Sequence, residues 1–410
     1  MQKFRFCFIL YHMKKFLTIS VTLILFLLFA GCGYAYESTP YINEEIVFGS
    51  HALSVTLYGR KSSEAFKKMV EELKAINADI SLTESSPIAY LNQTAAGEKV
   101  EVVYHTYKLL ELSKQYYEET NGAFNIAMQG ISALWRVDAK SAAYFAGKPV
   151  DFALPSYEEV LAAKAVYTAF FEGETPFGVY AYEENGKYYL VKMADGIKID
   201  FGAVAKGYAA DVCADIAKDY QLKSAVIDVA RNIKVYGQAY DLTKNKTDCF
   251  NITIAAPRPR PMYLGEDVLC AVSIFGGRSV VVSGDYQRFY NFPAIQGEKL
   301  PLCHIIDPFT GMPLGISYEE GQYVYKAGGV ISAMIDDAES ARADAYATAA
   351  CVLGYEDAKT LLKKNNIKGL VMTEEKIAFM GRTEAELFRT DIFKKYQDYG
   401  ASNIEFAEYA

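Results

Sequence analysis

An α/β fold built on a mixed sheet is what this sequence predicts, and three observations lead there. Strand-like runs rich in β-branched and aromatic residues alternate with stretches whose apolar residues recur at helical spacing. The 410 residues are 51% hydrophobic and 22% charged, enough to bury a large core. The third is the junction Lys198-Ile199-Asp200-Phe201-Gly202-Ala203-Val204-Ala205-Lys206-Gly207, which runs from a strand through a glycine-bearing turn into a helix. N–H groups freed at a helix start, together with the positive end of its dipole, suit an anion, and Lys206 adds a full charge. Read alone, the stretch fits an ordinary strand-to-helix connection equally well.

The chain opens on an export signal. Lys14-Lys15 precede an almost unbroken apolar run, Phe16 to Ala30, and then Gly31-Cys32. The run falls short of the roughly 20 residues of a membrane span. Phe29-Ala30-Gly31-Cys32 resembles a bacterial lipobox, which makes residues 1–31 a lipoprotein-type signal peptide with Cys32 as the lipidated first residue. The expected product is exported and attached to the membrane on its extracytoplasmic side. Residues 32–43 then form a flexible spacer, 44–390 the folded domain and 391–410 a C-terminal tail. Net charge is −8; the first 31 residues hold four basic groups and no acidic ones, leaving 38 basic against 50 acidic groups, or −12. That balance argues against nucleic acid or a broad anionic surface as partner. The seven cysteines, at 7, 32, 213, 249, 270, 303 and 351, include no Cys-x-x-Cys pair, so neither zinc nor a dense disulfide framework is signalled.

The run from Ile46 to Tyr58 has the composition of one strand. Ser62 or Ser63 offers an N-cap to a helix whose Phe66, Met69, Val70, Leu73 and Ile76 face the core. A second helix, from about Val103 to Glu119, is stopped by Asn121-Gly122. Two aromatic-rich runs flank Asn185-Gly186, the strongest short hairpin signal, because both residues accept positive φ. A helix over 205–220 and strands over 224–227, 233–236, 251–255 and 271–274 follow, with Pro257, Pro259 and Pro261 marking a loop. Asp307-Pro308-Phe309-Thr310-Gly311 reads as a tight turn whose aspartate bonds back to the main chain. A helix starting near Asp337 carries Asp344 and Thr348, and another spans about 355–365.

Asp344 and Thr348 stand four residues apart and share one helix face. A carboxylate and a hydroxyl are hard oxygen donors suited to Mg²⁺ or Ca²⁺; a solvated aspartate beside Arg342 and a packing threonine are the plainer reading. His304, one of three histidines beyond the leader, would serve as general base on a hydroxyl or would fix the adjacent turn. Tyr286 and Phe124 would stack on a ring or fill the core.

Phe48-Gly49-Ser50, Tyr90-Leu91-Asn92, Gly122-Ala123-Phe124-Asn125, Asp200 to Gly207 with Asp211, Ser283-Gly284-Asp285-Tyr286, His304 to Gly311 and Ala343 to Thr348 occur in that order. In this order they resemble the FAD:protein FMN transferase family, also called the ApbE family, over nearly the whole mature chain. The resemblance implies an ApbE-like flavin transferase fold, FAD as donor and Mg²⁺ as metal. It implies transfer of FMN to a Thr or Ser hydroxyl of an acceptor flavoprotein with release of AMP; FAD pyrophosphatase activity, or flavin binding without turnover, are the alternatives. It places Ala203 (by its main-chain oxygen), Asp344 and Thr348 at metal positions, and Phe48, Ala123, Phe124, Asn125, Asp200, Lys206 and Ile305 at flavin-nucleotide positions. By their own chemistry, His304 as a base and Lys206 as a charge beside the diphosphate are the candidates for catalysis. The chain departs from the family where Ala230-Arg231-Asn232 stands for Gly-Gly-Asp, where Asn125 stands for Asp, where Phe48 replaces a common Met, and where Ala203 replaces the second Gly of a pair. Arg231 would either clash with the nucleotide or bind its phosphate. An apparent insertion, Ile316 to Gly329, would reshape the acceptor entrance.

Overall fold

The computed structural model describes residues 39–409 apart from Ser50, 241–244, 258–267, Gln287, 293–299, 384–385 and 390–402. The leader, Cys32, Pro259 and Pro261 lie outside the described residues. Nine strands form the main sheet: β1 (Tyr41–Phe48), β2 (His51–Tyr58), β3 (Ser224–Val229), β4 (Asn232–Gly237), β5 (Ser279–Gly284), β6 (Ser332–Asp337), β7 (Lys368–Met372), β8 (Lys376–Met380) and β9 (Asn403–Ala407). Their order in the sheet follows their order in the chain. All neighbours are antiparallel except β8 and β9, which run parallel, so the sheet is mixed as expected.

Side chains alternate across this sheet with the period of two that strand geometry imposes. Val280, Met334 and Leu370 meet a small sheet of Phe250–Ala255, Val268–Ile274 and Leu387–Arg389. Val281, Ile335 and Val371 point the other way, into the helical layer. The helices are α1 (Ser62–Ile80), α2 (Pro87–Gln93), α3 (Tyr104–Glu119), α4 (Gln129–Trp135), α5 (Val137–Phe145), α6 (Tyr157–Thr168), α7 (Ala205–Asp219), α8 (Ser340–Leu353) and α9 (Tyr355–Lys364).

Several expectations are corrected. The single strand over 46–58 is a hairpin: Gly49, at φ +57°, reverses the chain so that Phe48 pairs with His51. The stretch set apart as a spacer enters the sheet at Tyr41, and the stretch set apart as a tail contributes β9, which completes the edge beside β8. Lys61, not a serine, precedes α1; Ser62 is buried and its hydroxyl donates to the Gly59 carbonyl at 2.8 Å. Lys198–Phe201 forms no strand. α8 begins at Ser340, because Asp336 and Asp337 still belong to β6. Ser279–Val282, for which the sequence carries no expected element, belongs to β5 at the centre of the sheet.

Two turn expectations hold. Asn121 and Gly122, both at positive φ, end α3, and Asn185-Gly186 turns the hairpin Val179–Glu184/Lys187–Lys192. Among the described residues, Cys213, Cys249, Cys270, Cys303 and Cys351 form no disulfide, and no helix is long and apolar enough to cross a membrane.

Candidate active site

The site is assembled where α7 and α8 meet. Gly207 lies in the first turn of α7, and a Cβ there would come within 2.2 Å of the Ser340 carbonyl oxygen, so only glycine lets the two helices approach this closely. Asp211, one turn on, accepts from the Ser340 and Ala341 N–H groups at 2.9 Å each and so satisfies the start of α8 from outside. Lys234 on β4 pairs with the same carboxylate at 2.9 Å. Asp344 accepts from the Gly207 N–H at 3.1 Å, and Lys206 Nζ lies 3.3 Å from its Oδ2. Lys206 also donates to the Gly202 carbonyl at 2.7 Å.

The approach to α7 is fixed just as closely. Asn92 brackets Ile199, donating to its carbonyl at 2.9 Å and accepting its N–H at 2.8 Å. Asp200 donates its own N–H to the Ile126 carbonyl and accepts the Gly202 N–H through Oδ1 at 2.8 Å. Burial pushes the Asp200 carboxyl pKa up, and Lys206 and Arg288 only partly oppose that.

On the other side stands the Asp307 turn, whose carboxylate accepts the Phe309 N–H at 2.7 Å and the Thr310 hydroxyl at 3.0 Å, as the sequence predicts. Tyr167 donates to the Pro308 carbonyl, and Trp135, the only tryptophan, donates to the Gly311 carbonyl, both at 2.9 Å. Three residues before the turn, the main-chain N–H of His304 donates to the Arg288 carbonyl at 3.0 Å. Burial lowers the His304 pKa to about 4, so the imidazole is neutral at ordinary pH.

A cavity of about 380 Å³ opens between these elements, within the size range of ligand sites. Asn125, Asp200, Ala203, Lys206, Asp344 and Thr348 line it, joined by His304 and Ile305. Three buried polar atoms in its walls have no protein partner: Asn125 Nδ2, Asn232 Oδ1 and His304 Nδ1. Unsatisfied polar atoms converging on one cavity call for a polar ligand or ordered water.

Other predicted residues stay out. Phe124 is fully buried against Tyr116, Ala123 is core, and Phe48 packs at the core's margin; none lines the cavity, nor does Tyr286. Phe124 is held in the core by burial that leaves no face for stacking. Arg231 is exposed, its N–H donating to Asp228 Oδ1 at 2.6 Å, while Ala230 and Asn232 on either side line the cavity. The insertion forms a hairpin, Ile316–Glu319 with Gln322–Tyr325, in which Tyr318 stacks on Tyr157 and Tyr323 meets the edge of Trp135. It braces α4 and α6 from behind and contributes nothing to the cavity wall. Sequence reading gave no role to Arg288, Asp138 or Asn232. Arg288 closes the polar stretch begun by Ser283, which was the available signal; Asp138 had none.

Cations beside hard oxygen donors, with unpaired amide and imidazole atoms around them, suit an enzyme whose substrate carries phosphate. Comparison with known proteins narrows this class. The family model described as the ApbE family matches residues 50–371, and the chain belongs to that family. A relative from Treponema pallidum (strain Nichols), curated as FAD:protein FMN transferase, is 27% identical over 343 residues, covering 82% of this chain and 84% of its own. One of the same description from Klebsiella pneumoniae (strain 342) is 25% identical over 283 residues, covering 68% and 75%. The fold is similar to that of the Pseudomonas stutzeri flavinyl transferase ApbE in its apo form, with a TM-score of 0.61 at 20% identity over 86% of this chain and 94% of that one. It is equally similar to the Thermotoga maritima ApbE protein, with a TM-score of 0.61 at 24% identity, covering 87% and 99%. The chain is accordingly an enzyme of the ApbE family.

Proposed function

We propose that this protein transfers FMN from FAD to a Thr or Ser hydroxyl of an acceptor flavoprotein, releasing AMP, with Mg²⁺ required. One observation carries the reading: residues from five distant segments, Asn125, Asp200 to Lys206, Ala230 with Asn232, His304 and Asp344 with Thr348, converge on a single cavity. In the reaction the acceptor oxygen attacks the phosphorus on the FMN side. The bond from that phosphorus to the bridging oxygen breaks, AMP leaves, and the hydroxyl proton passes to His304. As a free imidazole near pKa 4, His304 is a weak base; the negative charge of a bound diphosphate favours its protonated form and strengthens it.

Lys206 holds charge against the diphosphate, and Asn125 Nδ2 supplies a donor with no competing partner. The donor set fits Mg²⁺: Asp344, the Thr348 hydroxyl and the Ala203 carbonyl are all hard oxygens. Among the described residues no group of three or more His, Cys, Asp and Glu forms a metal site by itself, so such an ion would lean on substrate phosphate. When bound, it neutralises charge on the phosphates. Export and lipid anchoring through Cys32 place this reaction on the extracytoplasmic side of the membrane.

The test is incubation of the mature chain with FAD and Mg²⁺, with and without a flavoprotein encoded beside it, following AMP and covalent flavin fluorescence on a denaturing gel. Fluorescent partner with matching AMP is the expected result. AMP and free FMN at equal rates without any partner would show a pyrophosphatase, and intact bound FAD in both conditions a binding protein.

A further inference from the structure

His51 opens β2 across the turn from Phe48, and its ring is held between two groups of fixed hydrogen-bonding character. Nδ1 lies 3.0 Å from the Phe48 carbonyl oxygen, and Nε2 lies 2.6 Å from a guanidinium nitrogen of Arg288. A carbonyl only accepts and a guanidinium only donates. Both contacts are therefore met by one species, neutral imidazole with its proton on Nδ1 and its lone pair on Nε2.

Arg288 follows β5 and lines the cavity. Its other terminal nitrogen donates to Asp138 Oδ1 of α5 at 3.3 Å, and its carbonyl takes the His304 N–H. Two side chains from separate elements thus aim a planar, five-donor fork beside the proposed base. Arg288 and Lys206 both act electrostatically on His304 and on Asp200, which places the two cations around the same space. A planar guanidinium matches phosphate oxygens in a way a lysine does not.

We propose that His51 is a positioning residue that holds Arg288 as an anchor for substrate phosphate, so that FAD affinity depends on a neutral His51. The identity of the phosphate donor rests on the FMN-transfer reading; the anchor itself does not. Protonation would remove the Nε2 acceptor and set a positive charge against the guanidinium. The groups acting on His51 are Arg288, Lys206, Asp138 and the Phe48 carbonyl. Burial is the largest influence and, with the two cations, holds its pKa below 6.5, while the Phe48 carbonyl and Asp138 act the other way. The anchor is therefore set at neutral pH and released as pH falls through the His51 titration, below 6.5.

The experiment measures FAD affinity by flavin fluorescence, and KM and kcat for turnover, from pH 5 to 8 on the mature chain. The proteins are wild type, His51→Gln, His51→Ala and Arg288→Lys, each checked for folding by thermal melting. Wild-type FAD affinity should weaken about tenfold as pH falls through the His51 titration, the low end for loss of a hydrogen bond to a charged group. His51→Gln, whose Oε1 accepts but gains no proton, should bind like wild type at pH 7.5 and lose that pH dependence. His51→Ala and Arg288→Lys should be about tenfold weaker throughout, the effect appearing in KM rather than kcat for His51→Ala. Tight binding by His51→Ala at pH 7.5, or an unchanged pH dependence in His51→Gln, overturns the proposal. A fall in kcat at constant KM also overturns it, making His51 a support for His304. Wild type that binds no FAD overturns the functional reading instead, and inorganic pyrophosphate titrated against the same proteins then tests the anchor alone.

Discussion

The wall contributed by α7 and α8 and the wall contributed by Arg288, His304 and Asn125 line one cavity but are built differently. In the first, the functional groups are already engaged: Asp344 holds the Gly207 N–H and Lys206, Asp211 holds the start of α8, and Asn92 holds Ile199. In the second, Asn125 Nδ2 and His304 Nδ1 have no protein partner. Removing a member of the first wall orphans its partners, so stability and activity should fall together. Removing the His304 ring from the second gives up little that the protein has already satisfied, so activity should fall while stability stays or rises.

Asp344→Ala is the largest break. It takes away the only carboxylate of the proposed metal set, and FAD turnover should drop by about three orders of magnitude or more. It also orphans the Gly207 N–H and leaves Lys206 with the Gly202 carbonyl alone, at a cost of about 1–3 kcal/mol. Activity against Mg²⁺ concentration and a urea titration read the two effects. Turnover with an unchanged Mg²⁺ dependence would remove Asp344 from the metal set.

His304→Ala tests the other wall. Turnover should fall about 10²- to 10⁴-fold, the usual share of a general base, with FAD binding retained. Stability should respond in the opposite sense to Asp344→Ala. An unfolded histidine titrates near 6.5 and the buried His304 near 4, so between those values the unfolded chain binds more protons. Wild-type stability therefore falls as pH drops through that window, and His304→Ala should lose part of that slope. Equal pH profiles in urea melts would show that His304 titrates normally.

Much of the first wall was legible in the sequence because its logic is local: four-residue spacing on a helix and a glycine turn into a helix. The Asp307 turn and the Asn185-Gly186 hairpin belong to the same class. The second wall was less legible. Arg288 meets His51 across 237 positions and Asp138 across 150, and no spacing encodes such meetings. Ala123 and Phe124 were matched by motif, yet motif order does not say which side chain of a run faces a cavity; here only Asn125 lines it. The mixed sheet was legible in its alternating strands, but the break at Gly49 was hidden inside a run of uniformly strand-like composition.

Asp211→Ala sharpens the comparison without touching the cavity lining. It removes the acceptor of two N–H groups at the start of α8 and leaves Lys234, which is nearly buried, without its carboxylate. The loss should be about 2–4 kcal/mol, visible as a lower urea midpoint at unchanged slope. FAD affinity should weaken in step because α8 carries Asp344 and Thr348. Weakened binding at full stability would mean that Asp211 acts on the ligand rather than on the helix.

The smallest effect belongs to the turn between β3 and β4, where Ala230 and Arg231 have φ of 51° and 71° with Val229 paired to Asn232 across them. That is the two-residue hairpin geometry that favours glycine or asparagine, and side chains with a Cβ hold it at a cost of roughly 1–2 kcal/mol each in the left-handed region. Glycine relieves the strain but gives the unfolded chain more freedom. Arg231→Gly should therefore stabilise by only about 0.5–1 kcal/mol. The Arg231 N–H bond to Asp228 survives the change, and the side chain lost is exposed and away from the cavity. FAD affinity should stay within about twofold, whereas an Arg231 bound to phosphate would lose about tenfold or more. Ala230→Gly, made in parallel, relieves similar strain on the residue that does line the cavity. If Ala230→Gly alters FAD affinity and Arg231→Gly does not, the turn meets the ligand through its wall and not through its charge; weaker binding by Arg231→Gly would return the arginine to the site.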